Sequence, residues 1–435
     1  MTSRLSGLTG AFGKTLMTTV GMTAISFISS VLTARMLGPE GRGLLSAALM
    51  IGTLAAGVAQ MGLASSYVYH VGASRRFPYL KLMLCSVLLV AGVAAVVGWL
   101  GAQLRSDVQL KQALPWIITL AAFMSTQNYF QMLAQLKSDL KFFNVMRFGL
   151  VLSNLLLLLP LIVVYHTVHF MQLLYCQVAV AAGLTIVGLY WSLRNRVWVV
   201  REQKDAASTR QVLRYGMHQH GTILLSLLLL NFDKIVLLNR GDIEDYGYYA
   251  LAFTTSRLIG AVQEAVAVAL YARFAGRDLE TLSAKVRTAF RLTFVPLMVL
   301  ALMTAALSPW LIVLVYGPKF AAMALPFAIL LFECVCSGAS WTLAQRFTAG
   351  GRPGLVLIRQ LISVVPVLLA LPFLPTENVY VYLALLMLLG GVLRLTVTLC
   401  MYPLTLKEKM PDLLPKSTDL AMVRVFLPKM HASPN

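Results

Sequence analysis

The sequence predicts an all-α polytopic membrane protein, twelve transmembrane helices in two pseudo-symmetric six-helix bundles, and three observations predict it. The 435 residues are 58% hydrophobic and only 12% charged, with a mean hydropathy of +0.77, far more apolar than a soluble domain needs. The apolar residues gather in runs of about 17 to 25, the length that crosses the hydrocarbon core of a bilayer. Lys and Arg collect in every second gap between those runs.

Twelve runs follow one another, at 13–33, 44–66, 79–99, 113–133, 145–165, 168–190, 213–238, 246–271, 290–315, 321–345, 355–374 and 379–402, each ended by charge or by Pro and Gly. The first follows Arg4 and Lys14, is long for a signal peptide, and meets Arg35 with no cleavage site, so it counts as a span. The longest gap, 191–212, is strongly basic and forms the natural joint. It divides the chain into an N-terminal six-helix bundle (1–190), a cytoplasmic basic linker (191–212), a C-terminal six-helix bundle (213–402) and a cytoplasmic tail (403–435), with a surface-lying piece near Leu420 to Phe426.

With the N-terminus inside, 27 of the 36 Lys and Arg fall in inner segments or at the inner ends of runs, 7 on the outer side, and Arg257 and Arg394 remain in spans. Positive charge stays on the cytoplasmic side during insertion, so both termini are expected there. The net charge of +19 is explained by this topology and by anionic lipids rather than by nucleic acid, because it is spread over short gaps. The five cysteines all lie in apolar runs without metal-ligand spacing and read as small buried side chains.

The halves resemble each other. VLTARMLGPEGRGLLSA from Val31 and VLLNRGDIEDYGYYALA from Val236 share a basic residue near the span end, acidic residues in the turn and a Gly opening the next span. LAQLKSDLKFFNVMR from Leu133 and LAQRFTAGGRPGLVLIR from Leu343 occupy corresponding gaps. Two such pairs in one order indicate a six-span unit used twice.

Charge inside a span is where function is sought, since each such residue facing lipid at a helix centre costs about 2.5 to 3.5 kcal/mol. Arg257 and Glu264 lie seven residues apart, nearly on one line of the eighth span with Phe253 and Gly260, and that line is expected to face a protein or aqueous interior. At two turns' separation each needs a partner elsewhere, or water. Glu333 in the tenth span, with Ser337 and Ser340 at intervals of four and three, needs a partner or a proton. Asp233 and Lys234 end the seventh span, on the side that carries Thr222 and Ser226. Ser26 and Ser29 with Thr15, Thr19 and Thr33 mark a hydroxyl face of the first span, and Ser125, Asn128, Gln131 and Gln135 an amide face of the fourth. Such faces either pack helices together or line a cavity. Arg394, near the end of the last span, can snorkel to the interface. Pro296 and Pro326 are hinge candidates.

Walker A, H-E-x-x-H and G-x-S-x-G motifs are absent, and the outer gaps are too short for a catalytic loop. An enzyme would have to build its site within the bilayer from Arg257, Glu264 or Glu333.

R-x-L-G-P-x-G-x-G after the first span (Arg35 to Gly43), L-R-Y-G entering the seventh (Leu213 to Gly216), N-x-D-K-I-x-L at its end (Asn231 to Leu237), Y-G opening the eighth (Tyr246, Gly247) and V-Y-G-P-x-F after the ninth (Val315 to Phe320) occur in order along nearly the whole chain. In this the sequence resembles the polysaccharide-transport, Wzx-type branch of the multidrug/oligosaccharidyl-lipid/polysaccharide (MOP) exporter superfamily. The resemblance implies a MATE-like V of two six-helix bundles in the bacterial inner membrane. It implies a flippase moving an undecaprenyl-diphosphate-linked oligosaccharide outward by alternating access, for O-antigen, capsule or exopolysaccharide assembly. A polysaccharide polymerase and a chain-length regulator are the protein partners it implies, with a small-molecule exporter and a membrane-embedded polymerase or acyltransferase as alternatives. The cavity of such proteins is lined by the first, second, seventh and eighth spans. That places Arg257, Glu264, Asp233, Ser226, Thr222, Ser26 and Ser29 at the substrate, with Arg35, Arg42 and Lys234 at the mouth, and Asn128 on the amide face of the fourth span is a further cavity candidate. No cofactor is expected; Glu264, Glu333 and Asp233 are candidates for coupling to H+ or Na+.

Overall fold

The computed structural model describes residues 2–72, 77–103, 107–137, 140–164, 168–199, 206–274 and 279–414, and their side chains except at 2–20, 162–164, 222, 269, 272–274 and 353. The tail piece near Leu420, and the side chains of Thr15, Thr19 and Thr222, lie outside these. The described chain is helical nearly throughout. In order it forms α1 (Thr2–Ala59), α2 (Leu63–Gly72), α3 (Tyr79–Ala102), α4 (Val108–Gln112), α5 (Leu114–Leu133), α6 (Lys141–Val164), α7 (Phe170–Arg194), α8 (Thr209–Arg240), α9 (Ile243–Phe274), α10 (Leu279–Ala306), α11 (Ser308–Tyr316), α12 (Ala324–Thr348), α13 (Pro353–Ala370) and α14 (Val379–Met401).

Among the described residues, nine helices are long and apolar enough to cross a membrane. The difference from twelve runs has local causes. The first two runs share α1, which continues through a kink at Gly38 (φ 67°) with Pro39 behind it. The hydroxyls and amides of α5 and the charges of α9 leave those two helices outside the nine. The run at 290–315 is cut at Leu307, where Pro309 opens α11. Proline lacks the N–H that a continuing helix needs and is tolerated in a first turn.

The chain divides into two compact units, Met1–Ala250 and Leu251–Asn435. In the first, α1, α3, α5 and α7 pack about a core holding Tyr67, Met83, Val90, Tyr129 and Phe130, and α8 packs on α1 and α2. In the second, α10, α12 and α14 pack about Phe290, Leu343, Phe347 and Tyr402. α9 crosses the division.

Within the first unit the two corresponding turns of the repeat meet. A Cβ on Gly43 would lie 1.9 Å from the carbonyl oxygen of Ile243, and one on Gly247 would lie 2.3 Å from that of Pro39. Only glycine permits backbones this close, which gives the shared glycines a packing reason.

Candidate functional site

Among the described residues two buried carboxylates sit within the helices, one in each unit. Asp233, on the last turns of α8, is fully buried. Its Oδ2 accepts a 2.7 Å hydrogen bond from the Tyr249 hydroxyl, and the Lys234 ammonium lies 3.6 Å from Oδ1. Tyr249 reaches it because the acidic turn 241–245 reverses the chain and α9 returns alongside α8. In the same unit Arg42 turns inward, donating to Thr33 Oγ1 at 2.9 Å and to Ser30 Oγ at 3.3 Å. Arg42 and Lys234, expected at a cavity mouth, are thus engaged with α1 and α8, whereas Arg35 is exposed.

Glu333, on α12, is 2% exposed. Its Oε2 forms an ion pair with the Arg257 guanidinium of α9 at 2.6 Å, and its Oε1 accepts from the Ser337 hydroxyl at 2.6 Å, one turn along its own helix. The Arg257 guanidinium also lies 4.1 Å from the centroid of the Phe253 ring, the cation–π arrangement that suits a planar cation. Small residues bring the two helices together. A Cβ on Gly260 would approach Cys334 Sγ to 2.5 Å, and one on Gly338 would approach Gln263 Oε1 to 2.1 Å, while Gln263 donates to the Val335 carbonyl at 3.2 Å.

The polar chain continues from Ser337. Arg394 of α14 donates to its hydroxyl at 3.3 Å, and Ser340 bonds the Arg394 carbonyl at 3.1 Å and Thr398 Oγ1 at 2.9 Å. Arg359 of α13 donates to the Ser340 carbonyl at 3.1 Å and to Thr398 at 3.3 Å. Away from the helix ends, the buried or half-buried charges described in α9, α12, α13 and α14 are Arg257, Arg359, Arg394 and Glu333. Three guanidiniums and one carboxylate therefore stand on these four helices, with Arg257 in direct contact with Glu333, and arginine is in excess there.

The structure gives Arg257 a partner on another helix, and leaves Glu264 exposed on α9. Arg394 does not snorkel outward but bonds inside the bundle. Arg359, near the start of the run 355–374, is 2% exposed within α13. Ser26 and Ser226 are exposed; Ser29 is half-buried with its hydroxyl oxygen unbonded, and Asn128 is half-buried on α5. Tyr249, Arg359 and Arg394 were not singled out as site residues by sequence reasoning. Ser337 could have pointed to Glu333, being four residues on, but nothing in the sequence pairs position 257 with 333.

A third polar cluster lies beyond the spans, where the chain leaves α14. Arg287 and Arg346 both reach Glu408, at 2.8 and 2.7 Å, Ser283 donates to the same carboxylate, and Arg291 lies 3.9 Å from Asp412. Burial alone would raise the Glu408 carboxyl, but the hydrogen bonds from Ser283 and Arg346 and the charges of Arg346 and Arg287 hold it below the usual carboxylate value. Among the described residues no group of His, Cys, Asp and Glu could hold a metal ion.

The fold is shared with solved membrane transporters. It is similar to the lipid II flippase MurJ in an inward closed conformation, at TM-score 0.69 and 11% identity over 94% of this chain and 89% of that one. It is similar also to an inward-facing multidrug resistance MATE family transporter of the MOP superfamily (0.66, 14%, 86% and 93%) and to a mutant of the Vibrio cholerae MATE transporter VcmN (0.60, 15%, 93% and 98%). Residues 11–276, more than half of the chain, match the polysaccharide biosynthesis protein family, and the protein belongs to that family. No curated protein sequence matches.

Proposed function

We propose that this protein is a flippase that moves an undecaprenyl-diphosphate-linked oligosaccharide from the cytoplasmic to the outer leaflet of a bacterial inner membrane, for O-antigen, capsule or exopolysaccharide assembly. The observation that carries the reading is the excess of guanidinium over carboxylate inside the second unit, with Arg257 half-exposed at 33%. A guanidinium offers a planar pair of donors to a phosphate or a sugar acid. Arg257 can exchange Glu333 for a substrate oxyanion, while the Ser337 hydroxyl remains on the carboxylate. The polyprenyl tail stays in lipid, and the two six-span halves provide access to each side in turn. Both termini are cytoplasmic in this reading, where the basic gaps meet anionic lipids. The polymerase and the chain-length regulator act on the flipped product.

Coupling to H+ or Na+ would act through Asp233, Glu264 or Glu333, and Asp233 and Glu333 are the two of these buried among protein groups. Neutral variants that transport with unchanged dependence on membrane potential and pH would remove this coupling from the account. Similarity to multidrug transporters favours one second reading, export of small molecules. The test of both is reconstitution into vesicles with the lipid-linked oligosaccharide extracted from the native host, scored by its exposure in the opposite leaflet. The flippase reading expects exposure that depends on the protein. No exposure by folded wild-type protein, together with drug resistance that tracks expression, would support the exporter.

A further inference from the structure

The first unit holds a cavity of about 200 Å³ where α1 gives way to α2. Its polar wall is Gln60, Ser65, Asn128 and Gln131, and Met132 and Ile223 supply apolar surface. Gln60 is fixed, its Nε2 donating to the Ser125 carbonyl at 2.7 Å. The amides of Asn128 and Gln131 and the hydroxyl of Ser65 bond no protein group among the described residues. Among the described residues no titratable side chain lines the cavity.

The backbone beside it is fixed as well. Met61 and Gly62 take left-handed conformations, φ 45° and 63°, which end α1 and turn the chain into α2. A Cβ on Gly62 would fall 2.0 Å from the Gly216 carbonyl oxygen of α8. Irregular backbone in a membrane protein is tolerated where protein or a water-filled cavity covers it. Uncommitted amides likewise suit a cavity better than lipid, because each has donor and acceptor capacity to satisfy.

We infer that this cavity is a saccharide subsite, taking one uncharged sugar residue of the transported molecule. Side-chain amides suit sugar hydroxyls because each offers a donor and an acceptor at fixed separation. Met132 and Ile223 suit the C–H face of a pyranose ring. The absence of charge among the lining groups sets this site apart from the arginine-rich interior of the second unit and selects a neutral sugar over a uronic acid or a phosphate. A hydroxyl that finds its amide partner gains specificity that an apolar wall cannot give, since the group left unpaired in a mismatched complex is penalised. The inference rests on the flippase reading and assigns a place for recognition of the glycan.

The experiment measures binding of two probes to the full chain in nanodiscs: undecaprenyl diphosphate alone, and the lipid-linked oligosaccharide from the native host. The quantity read is the ratio of the two affinities, in wild type, Asn128→Leu, Gln131→Leu and the conservative Gln131→Asn, with helix content checked for each. Wild type is expected to prefer the glycosylated probe at least tenfold. Both leucine variants are expected to bring that ratio near one, and Gln131→Asn to restore part of it. An unchanged ratio in the leucine variants, or no preference in wild type that binds both probes, overturns the saccharide subsite while leaving the flippase reading intact. A preference that disappears equally on replacing sodium with choline in wild type would make the cavity a cation site and also overturns it. Failure of folded wild type to bind either probe removes the flippase reading itself.

Discussion

The two buried carboxylates are compensated differently. Asp233 in the first unit is held by a neutral phenol, with an ammonium 3.6 Å away. Glu333 in the second is held by a guanidinium at 2.6 Å and a serine hydroxyl at the same distance. Tyr249 and Lys234 come from the adjoining ends of α8 and α9, so the Asp233 site is a local closure of one helical hairpin. The Glu333 site joins positions 76 residues apart (257 and 333) on two helices, and a further arginine extends it on either side of Ser337 and Ser340. An anionic substrate competes for Arg257 but has no counterpart to win from Tyr249. In the proposed function this difference puts the substrate at the second site and leaves the first to architecture, with ion coupling the one role that both can share.

The largest expected effect tests the second site. Arg257→Ala leaves Glu333 buried without its cation, and removing one partner of a buried pair costs about 3 to 5 kcal/mol. A large fall in thermal stability in detergent is expected together with loss of translocation. Tyr249→Phe tests the first site by deleting one hydrogen bond to a buried carboxylate, worth about 1.5 to 3 kcal/mol. It is expected to lower stability while substrate affinity stays near wild type, and a selective loss of affinity would erase the contrast between the sites. Gly43→Ala puts a methyl group against the Ile243 carbonyl and perturbs the turn beside the first site. Overpacking of this kind costs about 1 to 3 kcal/mol, read as a lowered melting temperature.

The smallest effect belongs to the cluster outside the spans. Because the folded-state value of Glu408 is depressed, its contribution is present above the unfolded carboxyl value and is lost as pH falls through the folded one. Glu408→Gln is therefore expected to lower stability slightly at neutral pH and to flatten the acid limb below about pH 4.5, the ordinary glutamate value. A melt series from pH 7 to pH 3 checks it, and an acid limb as steep as wild type's would contradict the assignment.

Much of the fold was legible because lipid imposes a length and an apolar composition on each crossing. Gly43 and Gly247, which the sequence pairs, have backbone contact as their packing reason. Helix joins were less legible: the runs at 44–66 and 290–315 each read as one crossing, yet the backbone breaks at Met61 and Leu307. The site was legible one residue at a time. A charged residue in an apolar run announces that it has a partner, and Arg257, Glu333 and Asp233 each announced theirs. Which partner depends on helix rotation and on neighbouring glycines, and a spacing of seven along α9 drew attention to Glu264 when the carboxylate that Arg257 reaches is on α12. Arg359 was hidden for a related reason, since a basic residue within two turns of a span end looks like part of a cytoplasmic gap.

The central claim is that Arg257 and Glu333 serve the substrate rather than the stability of the second unit. The most direct measurement is leaflet exposure of the native lipid-linked oligosaccharide by the double variant Arg257→Met with Glu333→Met, matched to wild type for insertion and melting temperature. An apolar pair of similar volume can replace a buried ion pair with little loss of stability, so a folded protein without translocation is the result predicted. Translocation at the wild-type rate by that folded variant would contradict the claim and leave the pair a structural tie between α9 and α12.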